Sequence, residues 1–152
     1  MTKLEFYEAL HVFGAVIWVG GGFIMQLFAL RAQAADVNTR SWFFRNTEWI
    51  GQRFFLPSSI VILVTGFVML GDLPYDLGDG WVLFGFIVIV LSAVTGAGFL
   101  GPESGRIGKL VDSEGFDSPE VTRRYARLLT ISRIESVLLF LVIADMVARP
   151  GA

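Results

Sequence analysis

Four apolar stretches dominate this chain and constrain its fold more than any other feature of the sequence. They cover residues 10–30, 54–70, 81–100 and 128–148. Each is close to the roughly 20 residues that an α-helix needs to cross a hydrocarbon core ~30 Å thick. Because lipid offers no partner for backbone N–H and C=O groups, apolar runs of this length are expected to be helical.

A soluble helical bundle does not account for these stretches. A soluble helix needs a polar face, but residues 86–91 and 137–143 are apolar on all sides. The chain is 54% hydrophobic and 17% charged, whereas soluble domains are about 45–50% apolar and about 25% charged. The sequence therefore predicts an all-α fold, a transmembrane four-helix bundle forming one domain over residues 1–152. Its helices are expected at approximately 4–30, 50–71, 81–100 and 120–148.

The three connections between these stretches differ in character. Residues 31–53 interleave arginines with tryptophans and phenylalanines, which predicts a short interfacial helix between the first two spans. Residues 71–80 (GDLPYDLGDG) contain three aspartates, no basic residue and strong turn signals. In the third connection, residues 101–127, Ser118 followed by Pro119 predicts a helix start with Ser118 as the N-cap.

The distribution of basic residues predicts the orientation. Ten of the twelve Lys and Arg residues lie in or next to the first and third connections, and only Lys3 and Arg149 lie at the other end. Basic residues accumulate in cytoplasmic loops. We therefore expect a multi-pass protein of the cell membrane with both termini outside (N-out/C-out) and the first and third loops in the cytoplasm.

Composition excludes several classes of function. The chain has no cysteine, so it forms no disulfide, thiolate metal site or cysteine nucleophile. Its net charge of -2 gives no sign of a nucleic-acid partner. The expected partners are the lipid bilayer and, through glycine-rich helix faces, a second copy of the chain or a larger membrane complex.

One face of the first helix carries the strongest candidate ligand. His11, Trp18, Gly22 and Met25 recur there at helical spacing. His11 is the only histidine, and two interpretations stay open: a neutral side chain hydrogen-bonded to a neighbouring helix, or a proton carrier or ligand to haem iron.

Two methionines and four charged residues complete the candidates. Met69 and Met146 lie at the outer ends of their helices, as apolar filling or as sulfur ligands opposite a histidine. Glu135 is expected to form an ion pair with Arg53 or Arg133, because a lone carboxylate within the membrane is costly. A proton relay through Glu135 or Asp145 is the alternative.

Several motifs together resemble known membrane proteins. In the first helix, His11-x6-Trp18-x-Gly20-Gly21 resembles HemJ-type protoporphyrinogen oxidases and the membrane domain of the CopD copper-resistance proteins. The later motifs that fit the same pattern are Pro57 with Gly66, Trp81, Arg133-x-Glu135 and Arg149-Pro150. The chain is also similar to a family of predicted four-helix integral membrane proteins that shares these features.

The resemblance implies haem b or another tetrapyrrole at His11, for a redox or porphyrin-related role. Trp18, Met69 and Met146 complete the set of expected cofactor-binding residues. HemJ proteins have a lysine where this chain has Gly85, and a second histidine that is also missing here. Two other functions stay open: a non-enzymatic accessory or assembly subunit of a larger membrane complex, and a small transporter that uses Glu135 or Asp145.

Overall fold

The computed structural model describes residues 1–151 and consists of four long antiparallel helices. They are α1 (Lys3–Ala32), α2 (Val37–Leu70), α3 (Gly80–Glu114) and α4 (Pro119–Ala148). The first three are each long and apolar enough to cross a membrane. The fourth has 30 residues and is less apolar, because Arg133, Glu135 and Asp145 lie within its apolar stretch of residues 128–148. No strand is present within residues 1–151.

Local sequence explains where three of the helices begin. Thr2 and Glu5 form a capping box at α1, in which Thr2 Oγ1 accepts a hydrogen bond from the Glu5 N–H at 3.2 Å. Asp36 caps α2 by accepting from two backbone N–H groups of the first turn. Ser118 caps α4, with Pro119 in its first turn, which confirms the predicted helix start. Side-chain acceptors at these positions satisfy N–H groups that the helix itself leaves unpaired.

The short interfacial helix predicted between the first two spans is not a separate element. Residues 37–50 are the first part of α2, which continues without a break to Leu70. They pack along the last part of α3, where the Ser41 hydroxyl and the Arg45 guanidinium donate to Asp112 at 2.5 and 2.8 Å. The prediction of a separate helix was wrong because α3 does not stop near residue 100. It extends to Glu114 and pairs with the polar groups of residues 37–50.

Three of the helices contain one turn of π-helix each. These π-turns are Val16–Gly20 in α1, Gly51–Phe55 in α2 and Gly96–Leu100 in α3. The turn in α2 contacts both of the others, so the three lie at one level of the bundle. Each π-turn inserts one extra residue per turn and rotates the side chains that follow, and such turns are frequent at functional sites.

The bundle has two hydrophobic cores, one on each side of the π-turns. The membrane core contains Trp18, Val88 and Leu139. The projecting core contains Phe44 and Tyr125, whose rings meet edge to face with centroids 5.3 Å apart. A helix of 34 residues is about 50 Å long, which exceeds the ~40–45 Å of a whole bilayer. A helix of this length that crosses a bilayer upright extends past it, and the name projecting core refers to the core at the polar end of α2, residues 37–50.

Candidate functional site

A cavity of about 110 Å³ lies between the two cores. Six residues from each of the four helices line it, including residues of all three π-turns, so the cavity lies on the axis of the bundle. Trp18, Gly22 and Met25 of α1 line it. The lining is largely apolar.

Glu135 of α4 is the only ionisable side chain among the residues that line this cavity within residues 1–151. The Ser92 hydroxyl of α3 donates a hydrogen bond to Glu135 Oε1. Ser92 itself is buried, with 4% of its surface exposed. The carboxylate is thus held by one oxygen, and Glu135 forms no ion pair with any residue from 1 to 151.

A second polar side chain in the cavity wall is Gln26 of α1. Its amide nitrogen Nε2 is buried and has no hydrogen-bond partner among residues 1–151. Sequence analysis assigned no role to Gln26 or to the Ser92–Glu135 contact. The signal was present in the sequence, because Gln26 is an isolated amide within an apolar stretch, and polar residues in such positions usually face the bundle interior.

Two aromatic side chains line the end of the cavity next to the membrane core. The rings of Trp18 and Phe55, both in π-turns, have centroids 6.3 Å apart. The Phe55 ring packs closely against the backbone of Gly21. A Cβ added at Gly21 would lie 2.8 Å from Phe55 Cε1. The glycine thus makes room for the ring. This arrangement places two aromatic rings in the cavity wall that also carries Glu135.

His11 lies away from this cavity, between α1 and α2. Its Nδ1 is 2.9 Å from the Thr65 hydroxyl oxygen, and Thr65 is 3% exposed. The Thr65 hydroxyl also donates to the Val61 carbonyl at 2.6 Å. Because its own proton is used there, the hydroxyl accepts from His11, which places the ring proton on Nδ1 and leaves Nε2 as the free acceptor. Gly66 adjoins the ring, since a Cβ there would lie 3.5 Å from His11 Cε1.

The other predicted cofactor ligands, Trp18, Met69 and Met146, each have different neighbours from those of His11. Met146 packs its methyl group on Gly85, where an added Cβ would collide with it. The backbone carbonyl of Met69 accepts hydrogen bonds from the N–H groups of Asp72 and Leu73, at the start of the acidic loop of residues 71–80. Trp18 lines the cavity, seven residues along α1 from His11. The hydrogen bond of the His11 ring goes to Thr65, not to either methionine sulfur, and residues 1–151 contain no metal-binding cluster of three or more His, Asp or Glu.

The ion pair predicted for Glu135 is not formed. Arg53 and Arg133 are both exposed, and neither joins an ion pair with another of residues 1–151. The physical reason is position: both arginines are exposed and neither lines the cavity, whereas Glu135 does. Ser92 takes the place that the sequence assigned to an arginine.

Ion pairs instead gather in the projecting part of the bundle. Glu103, 4% exposed, accepts a hydrogen bond from Arg124 at 2.7 Å. Glu120 accepts from Arg123 at 2.8 Å and from Arg124 at 2.7 Å. The hydrogen bonds from Arg123 and then Arg124 lower the pKa of Glu120, and those to Glu103 and then Glu120 raise the pKa of Arg124. This network joins α3 to α4 outside the apolar stretches.

Comparison with known proteins gives one match. Residues 6–150 match the model of DUF2269, described as a predicted integral membrane protein. No curated protein and no solved structure matches the chain. The comparisons therefore give no support to the resemblance with HemJ or CopD proteins.

Proposed function

From the premise that this chain belongs to DUF2269, a family of predicted integral membrane proteins, we propose that it is a small transport protein for organic cations. Glu135 holds the cation inside the axial cavity. The observation that carries the proposal is that this carboxylate is the only ionisable side chain in the cavity wall among residues 1–151. An ionisable group facing the interior of a membrane bundle is costly, and it usually marks the path of an ion or a substrate.

The chemistry of the wall favours a cation over an anion. No lysine, arginine or histidine within residues 1–151 lines the cavity, so an anionic solute finds no counter-charge. Trp18 and Phe55 line the same cavity as Glu135, and the negative face of an aromatic ring attracts cations. The position of the π-turns around the cavity adds to this proposal, since helix segments of this kind recur at functional sites.

The proposal includes the topology expected from the sequence. All four helices cross the membrane, both termini lie outside, and the projecting core lies in the cytoplasm. Support comes from the split of basic residues, ten against two, and from the interior position of Glu135, which removes one charge of α4 from contact with lipid. The exposed Arg133 belongs to the cytoplasmic boundary, where long basic side chains reach the headgroups.

Charge movement across a reconstituted membrane tests the function. Protein purified in detergent is incorporated into liposomes, and the current that follows a jump in ethylammonium concentration is recorded on a solid-supported membrane. We expect a current in the native protein, and its loss in Glu135→Gln. Asp145→Asn is the matched control, because it neutralises another carboxylate of α4 that does not line the cavity. Equal currents in native protein and Glu135→Gln contradict the proposal.

A second candidate function is binding of haem b or a related tetrapyrrole at His11. The observation in its favour is the hydrogen bond to Thr65, which leaves Nε2 as the free nitrogen. Metal-ligating histidines are commonly oriented in this way, with the second ring nitrogen donating to a fixed acceptor. With one histidine per chain, a second protein ligand to the iron would have to be another residue type or come from a second copy.

An absorption spectrum separates the two candidates. Protein supplemented with haem during expression and purified in detergent shows a Soret band if His11 ligates iron, and His11→Ala loses it. Thr65→Val, which removes the orienting acceptor and keeps the shape of the side chain, shifts or weakens the band. A colourless native protein overturns this second candidate and leaves the cation site untouched.

A further inference from the structure

Two polar side chains in the wall of the axial cavity differ in the hydrogen-bonding group that each requires of a bound solute. Glu135 offers a carboxylate whose Oε1 is already engaged by Ser92. Gln26 offers a buried amide nitrogen without a partner among residues 1–151. A carboxylate accepts hydrogen bonds, whereas an amide nitrogen only donates them. We propose that the solute of this cavity carries both an ammonium group, held by Glu135, and an oxygen acceptor, held by Gln26. This inference rests on the proposed function and names its substrate class.

The size of the cavity limits the solute to a few heavy atoms. Its volume is about 110 Å³. A closed apolar cavity of about 150 Å³ admits a benzene molecule, and pockets for drug-sized ligands reach roughly 300–1,000 Å³. The solute is therefore smaller than benzene. A two-carbon amino alcohol has the required groups at this size, and ethanolamine is the probe of choice.

A metal ion fits the same wall less well. Calcium takes about 6–8 oxygen ligands, and magnesium demands a nearly octahedral shell. The cavity offers one carboxylate with a few hydroxyl and amide groups, and the remaining wall is apolar. An organic cation satisfies such a wall, because its carbon atoms pack against Leu139 and the aromatic rings while its ammonium group meets Glu135.

Three probes of nearly equal size separate the contributions of the two side chains. Ethanolamine has both groups, ethylammonium has only the cation, and ethylene glycol has only oxygen atoms. Their binding to the full chain in detergent is measured by titration calorimetry. We expect ethanolamine to bind about tenfold more tightly than ethylammonium, because a hydrogen bond to a buried donor is worth about that factor. Ethylene glycol shows no measurable binding.

Variants assign each contribution to its residue. Gln26→Leu is expected to bring the affinity for ethanolamine down to that for ethylammonium, and to leave the affinity for ethylammonium unchanged. Glu135→Gln is expected to abolish binding of both cations. Leu27→Gln, a change at an exposed position of the same helix, is the control for inserting or removing an amide in α1 and should bind like the native protein.

The outcomes distinguish this inference from the function on which it rests. Equal affinity for ethanolamine and ethylammonium, with both lost in Glu135→Gln, overturns the role of Gln26 and leaves the cation site standing. Absence of binding for all three probes to a folded native protein overturns both. Because Gln26→Leu replaces an unpaired buried amide by an apolar group, we expect this variant to fold, and its thermal unfolding transition checks that it does.

Discussion

Ser92 of α3 donates a hydrogen bond to the Glu135 carboxylate of α4, and this contact fixes the only ionisable group that lines the axial cavity among residues 1–151. It joins two helices through side chains that lie far apart in the sequence. Its consequence is that Glu135 is oriented before any solute arrives. Pre-oriented groups lose less conformational freedom on binding, so the solute gains affinity.

The first prediction concerns this orienting bond. Ser92→Ala removes the donor and is expected to weaken ethylammonium binding by at least about tenfold, since hydrogen bonds to charged groups contribute about 1.5–3 kcal/mol. Ser92→Thr keeps the hydroxyl and should restore most of the affinity. Titration calorimetry measures both. Unchanged affinity in Ser92→Ala would mean that the bond has no part in positioning Glu135.

The second prediction uses the glycines of the π-turn in α3. A Cβ at Gly96 or at Gly98 meets no atom within 4 Å, but only Gly96 lines the cavity. Gly96→Leu is expected to fill the cavity and abolish cation binding, whereas Gly98→Leu should bind as the native protein does. Both variants should keep the free energy of unfolding within about 1 kcal/mol, the scale of helix propensity. Equal binding by the two variants would place the site elsewhere.

The sequence predicted correctly those features that depend on residues close to one another along the chain. The α4 start at Ser118 was predictable because an N-cap acts within one turn. The fate of residues 37–50 was not, since an aromatic, arginine-containing helix suits both an interface and a helix partner. The choice depends on Asp112 and Gly108 of α3, more than 60 residues away. The partner of Glu135 was missed for a related reason: Ser92 and Glu135 lie 43 residues apart on different helices, and the sequence alone does not show which faces of α3 and α4 meet.

The third prediction tests the close approach of α1 and α2. A Cβ at Gly14 would lie 2.9 Å from Ile62 Cγ1 and 3.3 Å from the Ser58 carbonyl oxygen. Gly14→Leu should therefore force the helices apart and cost about 1–3 kcal/mol, the usual penalty of overpacking. Gly20→Leu on the same helix meets no atom within 4 Å and is the control. Unfolding in increasing sodium dodecyl sulfate measures both. Equal stability of the two variants contradicts the packing described.

The fourth prediction concerns acid. The hydrogen bonds from Arg123 and Arg124 lower the pKa of Glu120, so its ionised form is favoured in the folded state. The stabilisation is present above the ordinary pKa of a glutamate and is lost as the pH falls through the lowered value. Glu120→Gln should therefore have a lower Tm than the native protein at pH 7, and the difference should vanish in strong acid. A pH-independent difference would assign the effect to packing instead of charge.

The fifth prediction tests the topology, and the absence of cysteine makes the native chain the background for it. Leu77 lies in the acidic loop between α2 and α3 and is 44% exposed; Asp117 lies in the loop between α3 and α4 and is also exposed. In intact cells, a maleimide that cannot cross the membrane should label Leu77→Cys and leave Asp117→Cys unlabelled until the membrane is permeabilised. The reverse pattern would invert the bundle, and labelling of both positions from outside would mean that α3 does not cross the membrane.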